Sequence, residues 1–328
     1  MVDRLRSVAR RLASGVCEIA GLERLSGGAS QDTWLFTLVH GGASERLILR
    51  RQPDAVEADG LRLSAGLGVE ATLLQLAQSH GVPVPRIRHV LTPEDGLGCG
   101  FIMDFVAGET LGGRIVRDDR FREARKSLAY QCGAAMAAIH QLPVSDLPKL
   151  RVGGAREEME GYLERHRKSG NNRPVFELAF QWLRRNLQST KIENVLVHGD
   201  FRNGNLIVGE DGLRAVLDWE LAHHGDAMED LGWICVTSWR FGGPLPVGGF
   251  GTREDLFAGY KAAGGVVDEA RVHFWEVFGV LKWGIMCEGM SEAPAGGIRT
   301  VERAVIGRRS SETEIDLLTL MAPNSRSS

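Results

Sequence analysis

The chain has 328 residues, 43% of them hydrophobic and 25% charged, with a formal net charge of −3. That length can bury a sizeable core in two domains or one large one, and the composition is that of ordinary globular proteins. The small net charge gives no electrostatic footprint for nucleic acid, no apolar run approaches the roughly 18 residues of a membrane helix, and five scattered cysteines without a C-x-x-C pair suggest neither a disulfide framework nor a zinc site.

No nucleic acid and no membrane is therefore expected as a partner, and a reducing cytoplasm suits the thiols. The opening "MVDRLRSVARRLASG" is arginine-rich like a transit peptide. However, Val2, Leu5, Val8, Ala9 and Leu12 recur at helical spacing, and Asp3 is out of place in a transit sequence, so an amphipathic helix is expected. "LERLSGGASQDTWLFTLV" (22–39) reads as strand, glycine turn and strand, with period-two alternation around Trp34, Phe36 and Leu38. "GGAS" turns the chain into a third strand, "ERLILRRQ" (45–52). "GLGVEATLLQLAQSHG" is a helix with Val69, Leu73, Leu76 and Ala77 on one face and Gly81 as its stop. "VPVPRIRHVL" and "CGFIMDFVAGET" are extended, the second with an apolar strand ending at Met103.

Beyond about residue 111 the period becomes helical. "FREARKSLAYQCGAAMAAIHQL" runs to Pro143, and "REEMEGYLERHRKSG" and "PVFELAFQWLRRNLQ" follow. "LVHGDFRNGNLIV" (196–208) and "LRAVLDWE" (213–220) interrupt the helices as a short hairpin turned at "GEDG". "AMEDLGWICVTSWR", "REDLFAGYKAAGG", "EARVHFWEVFGVLKWGIMCEGM" and "SETEIDLLTLMA" are helical again. No repeat is visible, and only the tail "APNSRSS" reads as disordered. The expectation is an α+β chain with a strand-rich N-terminal lobe (1–107) and a mainly helical C-terminal lobe (108–328). A hinge is expected at about 103–108, and a polar hairpin at 196–220.

That hairpin carries the chemistry. Asp200, Asn203 and Asn205 crowd one turn between apolar strands, and the second strand ends on Asp218. A carboxylate beside an acceptor hydroxyl can orient it and take its proton, and an Asn and an Asp nearby can hold Mg²⁺ through hard oxygen donors. Any one of these residues alone would do no more than close a turn by side-chain to backbone bonds.

"VHGDFRNGNLIV…AVLDWE" resembles the catalytic core of the aminoglycoside phosphotransferase and choline kinase family, which shares the protein-kinase fold. "LSGGASQDTWLF" is similar to its glycine turn, "FIMDFVAGE" to its inter-lobe hinge, and "GDAMEDLGW" to its paired aspartates, so the likeness runs from about residue 22 to 290. "LDWELAHHGDAMEDLGW" and "FWEVFGVLKWGIMC" look most like the phosphotransferase-like group related to the kinase-like domain fused to some acyl-CoA dehydrogenases.

The resemblance implies a bilobal protein-kinase-like fold and an ATP- and Mg²⁺-dependent transfer of the γ-phosphate to a small-molecule hydroxyl acceptor. It implies Asp200 as catalytic base, Asn205 and Asp218 as Mg²⁺ ligands, and Arg202 beside the transferred phosphoryl group. Asp230 would buttress the catalytic loop, and Asp226 stays open between the two roles. In the N-lobe, Arg50 of "LILRR" stands where the kinase fold has a lysine, with Arg51 next to it and Glu70 as partner. Gly27, Gly28 and Ser30 would approach the phosphates. Met103 would gate the adenine pocket, and the Asp104 carbonyl and Val106 amide would read the adenine edge.

Other residues have plainer readings. His223 and His224 are loop residues without a third metal ligand, His140 suits the dipole at its helix end, and Cys235 and Cys287 are core. Trp219, Trp233, Trp239, Trp275 and Trp283 are expected to be mostly core, with one or two lining the cleft. An acidic cleft for an aminoglycoside would draw on Glu276, Glu288 and Glu292. The alternatives are therefore an aminoglycoside kinase or a non-catalytic, pseudokinase-like nucleotide-binding module. A protein kinase proper is excluded, because eleven residues between Asp218 and Asp230 leave no room for an activation segment. With its acids few and its aromatics many, the cleft suits a partly apolar acceptor such as a hydroxyacyl thioester.

Overall fold

A computed structural model describes residues 1–13, 16–25, 31–52, 64–188, 193–291 and 301–322. The expected glycine turn (Gly27, Gly28, Ser30), Glu292 and all but the first residue of the tail lie outside them.

Helix α1 (Val2–Ala13) precedes strands β1 (Cys17–Leu25), β2 (Asp32–His40) and β3 (Ala43–Gln52). Helix α2 (Leu67–Ser79) and strands β4 (Ile87–Val90) and β5 (Cys99–Asp104) complete the N-terminal part. The five strands form one antiparallel sheet in the order β1-β2-β3-β5-β4. Strand alternation sorts its two faces. Phe36, Leu38, Leu47, Leu49 and Ile102 pack with Leu5 and Val8 of α1, while Ile48, Phe101 and Met103 join Ala71 and Leu74 of α2 in the main core. Arg50 therefore faces α2 with Ile48, and Arg51 faces the α1 side with Leu47 and Leu49.

Helices α3 (Gly112–Arg117), α4 (Arg122–His140), α5 (Ala155–Ser169) and α6 (Pro174–Asn186) open the helical part. Short strands β6 (Val195–Val197), β7 (Leu206–Gly209), β8 (Gly212–Val216) and β9 (His223–Gly225) follow. They lead to α7 (Met228–Trp233), α8 (Arg253–Ala262), α9 (Glu269–Ser291) and α10 (Val301–Met321). β7 and β8 form the expected hairpin, whereas β6 pairs with β9 across the loop that carries Asp200. His223 and His224, expected in a loop, are thus strand residues. The helix expected over 227–240 breaks after Trp233 into a separate turn at Thr237–Arg240, and α3 was not anticipated.

The segment after β5 lies against the hairpin. Glu109 and Val208 exchange backbone hydrogen bonds at 2.9 and 3.0 Å. Gly108 permits this approach, since a Cβ there would meet Ile207 Cγ2 at 2.5 Å. Among the described residues no helix is long and apolar enough to cross a membrane.

Candidate active site

The loop between β6 and β7 is held from beneath by Asp230. Its Oδ2 accepts from the His198 amide at 2.8 Å, and its Oδ1 accepts from the Gly199 amide at 3.0 Å. The His140 ring, at the end of α4, donates to Oδ2 at 3.0 Å and meets the Tyr260 hydroxyl at 2.8 Å. His140 thus does more than complement a helix dipole. Burial opposes the charge on Asp230, but His140 and the loop amides hold its carboxyl below the usual range.

His198 is the second anchor. Its Nδ1 accepts from the Asp200 amide at 3.2 Å, so the tautomer with Nε2–H donates to the Leu217 carbonyl at 3.1 Å. Burial pushes its pKa down, which favours this neutral ring. It packs on Trp219 and Phe201 with centroids 5.0 and 5.7 Å away, joining the loop to the segment after β8. Asn203 is buried and donates to the Gly248 carbonyl at 2.8 Å.

On this base Asp200 is surrounded by donors. Its Oδ1 accepts from Trp233 Nε1 at 2.8 Å and Arg202 Nε at 3.0 Å, and its Oδ2 accepts from Asn205 Nδ2 at 2.6 Å. Arg202 also lies 4.6 Å from the Trp239 ring centroid. With its amide nitrogen committed to Asp200, Asn205 keeps its amide oxygen, a hard donor, for a cation. The Leu217 amide donates to the Asn205 carbonyl at 2.8 Å, so Asn205 and Asp218 emerge from adjoining strand ends. Asp218 is a non-glycine residue with φ 65°, a conformation found where a surrounding site enforces it.

Asp218 is tied to the N-terminal sheet through Arg50. The guanidinium reaches Asp218 Oδ1 at 2.8 Å, Glu70 Oε1 at 3.0 Å and Gln31 Oε1 at 2.8 Å. Burial pushes Glu70 up to about 7 although Arg50 opposes the rise. Arg51 instead serves the α1 side, bonding Asp32 at 3.3 Å and the Leu97 carbonyl at 3.2 Å. Met103 is buried between β3 and β4, Asp104 pairs with Arg88 at 3.0 Å, and Arg46 covers Phe105 at 3.7 Å just before Val106.

The sequence analysis assigns no role to His198, Gln31 or Glu220 and does not reveal the contact of Trp233 with Asp200. Glu220 accepts from Gln31 at 3.4 Å, and burial and Asp218 raise its pKa; its only signal was a position two residues after Asp218. Trp233 belongs to a set expected to be mostly core with one or two members lining the cleft, and nothing local marks its bond to Asp200. Among the described residues no group of three or more His, Cys, Asp or Glu side chains could hold a metal by itself. One or two protein ligands suffice for Mg²⁺, which fills its shell from phosphate and water, so the Asn205 and Asp218 oxygens fit that ion.

The cations of the helical part neutralise its buried acids. Glu276 meets Arg253 at 2.7 Å, Glu288 meets Arg173, Asp226 meets Arg271 at 3.2 Å, and Glu229 meets His223 at 3.1 Å and Lys282 at 3.5 Å. Asp226 also accepts from Trp275 Nε1 at 2.8 Å and the Met228 amide at 3.0 Å, which makes it a structural anchor of α7. Cys235 and Cys287 are buried as expected.

The model of the "Phosphotransferase enzyme family" matches residues 21–275. The chain is 29% identical over 232 residues to the acyl-CoA dehydrogenase candidate IBR3 of Arabidopsis thaliana, a match covering 64% of this chain and 27% of that protein. It spans about a quarter or less of the length of the curated relatives it matches. Among solved structures, it is similar to a candidate aminoglycoside phosphotransferase of Ralstonia eutropha, with a TM-score of 0.73, 20% identity and 98% of both chains covered. It is also similar to a spectinomycin phosphotransferase in complex with ADP and spectinomycin, with a TM-score of 0.60, 13% identity, and 99% of this chain and 95% of that one covered. At these identities the structural likeness establishes the fold.

Proposed function

The chain belongs to the phosphotransferase enzyme family, and from that premise we propose that it transfers the γ-phosphoryl group of ATP, with Mg²⁺, to a hydroxyl of a small molecule with an apolar body. The observation that carries this reading is the convergence of Asp200 and Asn205 within 2.6 Å on one buttressed loop, facing an Asp218 already tied to Arg50. Asp200 would orient the acceptor hydroxyl and take its proton while that oxygen bonds to the γ-phosphorus. The bond from phosphorus to the bridging oxygen breaks, and ADP leaves. Arg202, within reach of the base, would turn toward the charge gathering on the phosphoryl oxygens. Asn205 and Asp218 would hold Mg²⁺, which when bound neutralises phosphate charge.

On the nucleotide side, Arg50, oriented by Glu70, would contact the phosphates bidentately, with Gly27, Gly28 and Ser30 as further donors. Met103, the Asp104 carbonyl and the Val106 amide would frame adenine at a hinge of about 103–108 between lobes 1–107 and 108–328. Free thiols at all five cysteines suit a cytoplasmic setting.

The acceptor reading rests on the partners of the buried acids. Glu276, Glu288, Asp226 and Glu229 are each neutralised by a protein cation, so a polycationic drug would find little unpaired charge among them. That observation favours an apolar alcohol, such as a hydroxyacyl thioester, over an aminoglycoside. The retained Asp200, Asn205 and Asp218 weigh against a non-catalytic module. Steady-state turnover of Mg·ATP against hydroxyacyl thioesters, simple alcohols and kanamycin-type drugs tests the reading. A kcat/KM for kanamycin at or above about 10⁴ M⁻¹s⁻¹ would overturn the acceptor class.

A further inference from the structure

We propose that Trp233 is a positioning residue for phosphoryl transfer, its indole N–H fixing the carboxylate of Asp200 for the acceptor hydroxyl. The proposal rests on the reading of Asp200 as the base. Among the described residues three donors reach that carboxylate, and they differ in kind. Arg202 is charged, a quarter exposed and carried on a flexible chain, so a phosphoryl group can draw it away. Asn205 and Trp233 are neutral and buried, and would remain. Among the described residues, Trp233 is the donor left to Oδ1 once Arg202 departs, at 2.8 Å.

The indole is built to stay in place. It is 4% exposed, and its ring packs against Trp239 with centroids 5.2 Å apart. On α9, Gly279 makes room for it, since a Cβ there would come within 3.0 Å of Trp233 Cε3. Next to it on α7, Gly232 lies so close to α9 that a Cβ would meet the Glu276 amide nitrogen at 2.7 Å. The buried ammonium of Lys282, itself paired with Glu229 at 3.5 Å, sits 5.1 Å from the indole. A cation beside a π-system draws electron density toward itself, which strengthens the N–H as a donor. Asp200 thus reaches, through one aromatic ring, an ion pair buried in the helical part. Nothing in this arrangement requires Trp233 to touch substrate.

The test compares Trp233→Phe with Trp275→Phe, which loses a similar indole–carboxylate bond at Asp226. Mg·ATP turnover, with water or a screened alcohol as acceptor, is measured together with melting temperature. Trp233→Phe is expected to lower kcat at least about tenfold, with KM for Mg·ATP within about twofold. Trp275→Phe should lower the melting temperature and leave kcat in place. Equal kcat for the two variants would overturn the proposal.

If Phe disturbs packing, benzothienylalanine at 233 removes the N–H from a ring of the same shape, and the same outcomes apply. A readout without turnover is the indole ¹⁵N–¹H spectrum. The Trp233 signal, identified by its loss in Trp233→Phe, should move upfield in Asp200→Ala, and an unmoved signal would also overturn the proposal. Full turnover in Asp200→Asn would sink the base assignment but leave the indole contact. An inactive Asp200→Asn beside a normal Trp233→Phe would sink only the positioning role.

Discussion

Arg50 and Asp230 each gather several segments into the candidate site, but with opposite materials. Arg50 draws on side chains from three places: Gln31, Glu70 on α2, and Asp218 after β8. These contacts are ionic or polar; Glu70 is buried, but Asp218 is about a third exposed, so a phosphate group could take over that contact. Asp230 is fully buried and draws on two backbone amides and one imidazole. No ligand can replace a backbone amide without unfolding the loop. The proposed nucleotide side is therefore assembled partly from exchangeable contacts, and the loop bearing the candidate base is preorganised by its own backbone, as stabilisation of a developing charge requires.

The comparison breaks first at Asp200. Asp200→Asn is expected to fold normally, bind Mg·ATP and lose phosphoryl transfer by at least about a hundredfold. Turnover within about tenfold of the parent would mean that the preorganised loop does not carry the base.

A paired experiment sharpens the contrast between exchangeable and fixed contacts. Asp218→Ala is expected to abolish Mg²⁺-dependent nucleotide binding in calorimetric titration and to leave the melting temperature nearly unchanged. Asp230→Ala should instead destabilise by about 3–5 kcal/mol, because it strips partners from two buried amides and a buried ring. The pH dependence has a defined sign. Asp230 has a lowered folded pKa, so its contribution is fully present above the unfolded carboxyl value of about 3.9 and is lost as pH falls below it. A normal melt for Asp230→Ala would show that the loop is held by something else.

Glu70 supplies the third test, with the opposite sign. Its folded pKa is raised to about 7, so the folded state binds a proton that the unfolded state has released. The stability it contributes is fully present below the unfolded value of about 4.3 and is lost as pH rises through 7. Glu70→Gln should flatten denaturation midpoints across that interval, a difference on the order of a few kcal/mol at most. Unaltered midpoint curves would mean that Glu70 is ionised throughout. Because an unoriented Arg50 loses its bidentate aim, the same variant should raise KM for Mg·ATP more than it lowers kcat.

What the sequence disclosed follows the range of each interaction. "HGDFRNGN" and "LDWE" are local, and their strand, turn and terminal acid form from neighbours along the chain. The family resemblance put Arg50 opposite Glu70 but left open which of Arg50 and Arg51 serves the phosphates, and the pleat of β3 now separates the two, with Arg50 on the face of α2. Three features depend on residues between 26 and 90 positions apart: the pairing of β6 with β9, the bond from His140 to Asp230 and the bond from Trp233 to Asp200. No periodicity carries such information. The tryptophans were the instructive case, because helical spacing predicts burial equally for Trp275, which anchors α7, and Trp233, which meets the candidate base.

The smallest expected effect is also the sharpest test of that strand period. Arg51 adjoins Arg50 in sequence and carries the same charge, so a model based on net charge alone predicts similar losses for either residue. The pleat separates them: Arg51 is committed to Asp32 and the Leu97 carbonyl on the side away from Glu70 and Asp218. Arg51→Ala should therefore change KM for Mg·ATP by less than about threefold. Its stability cost should stay near the 0–1 kcal/mol typical of partly exposed ion pairs. Arg50→Ala, measured beside it, should raise that KM at least about tenfold, the loss expected when a charge-assisted contact to phosphate disappears. Equal losses for the two variants would mean that the nucleotide senses the positive charge of the strand as a whole, and the geometric distinction between the faces of β3 would lose its functional meaning.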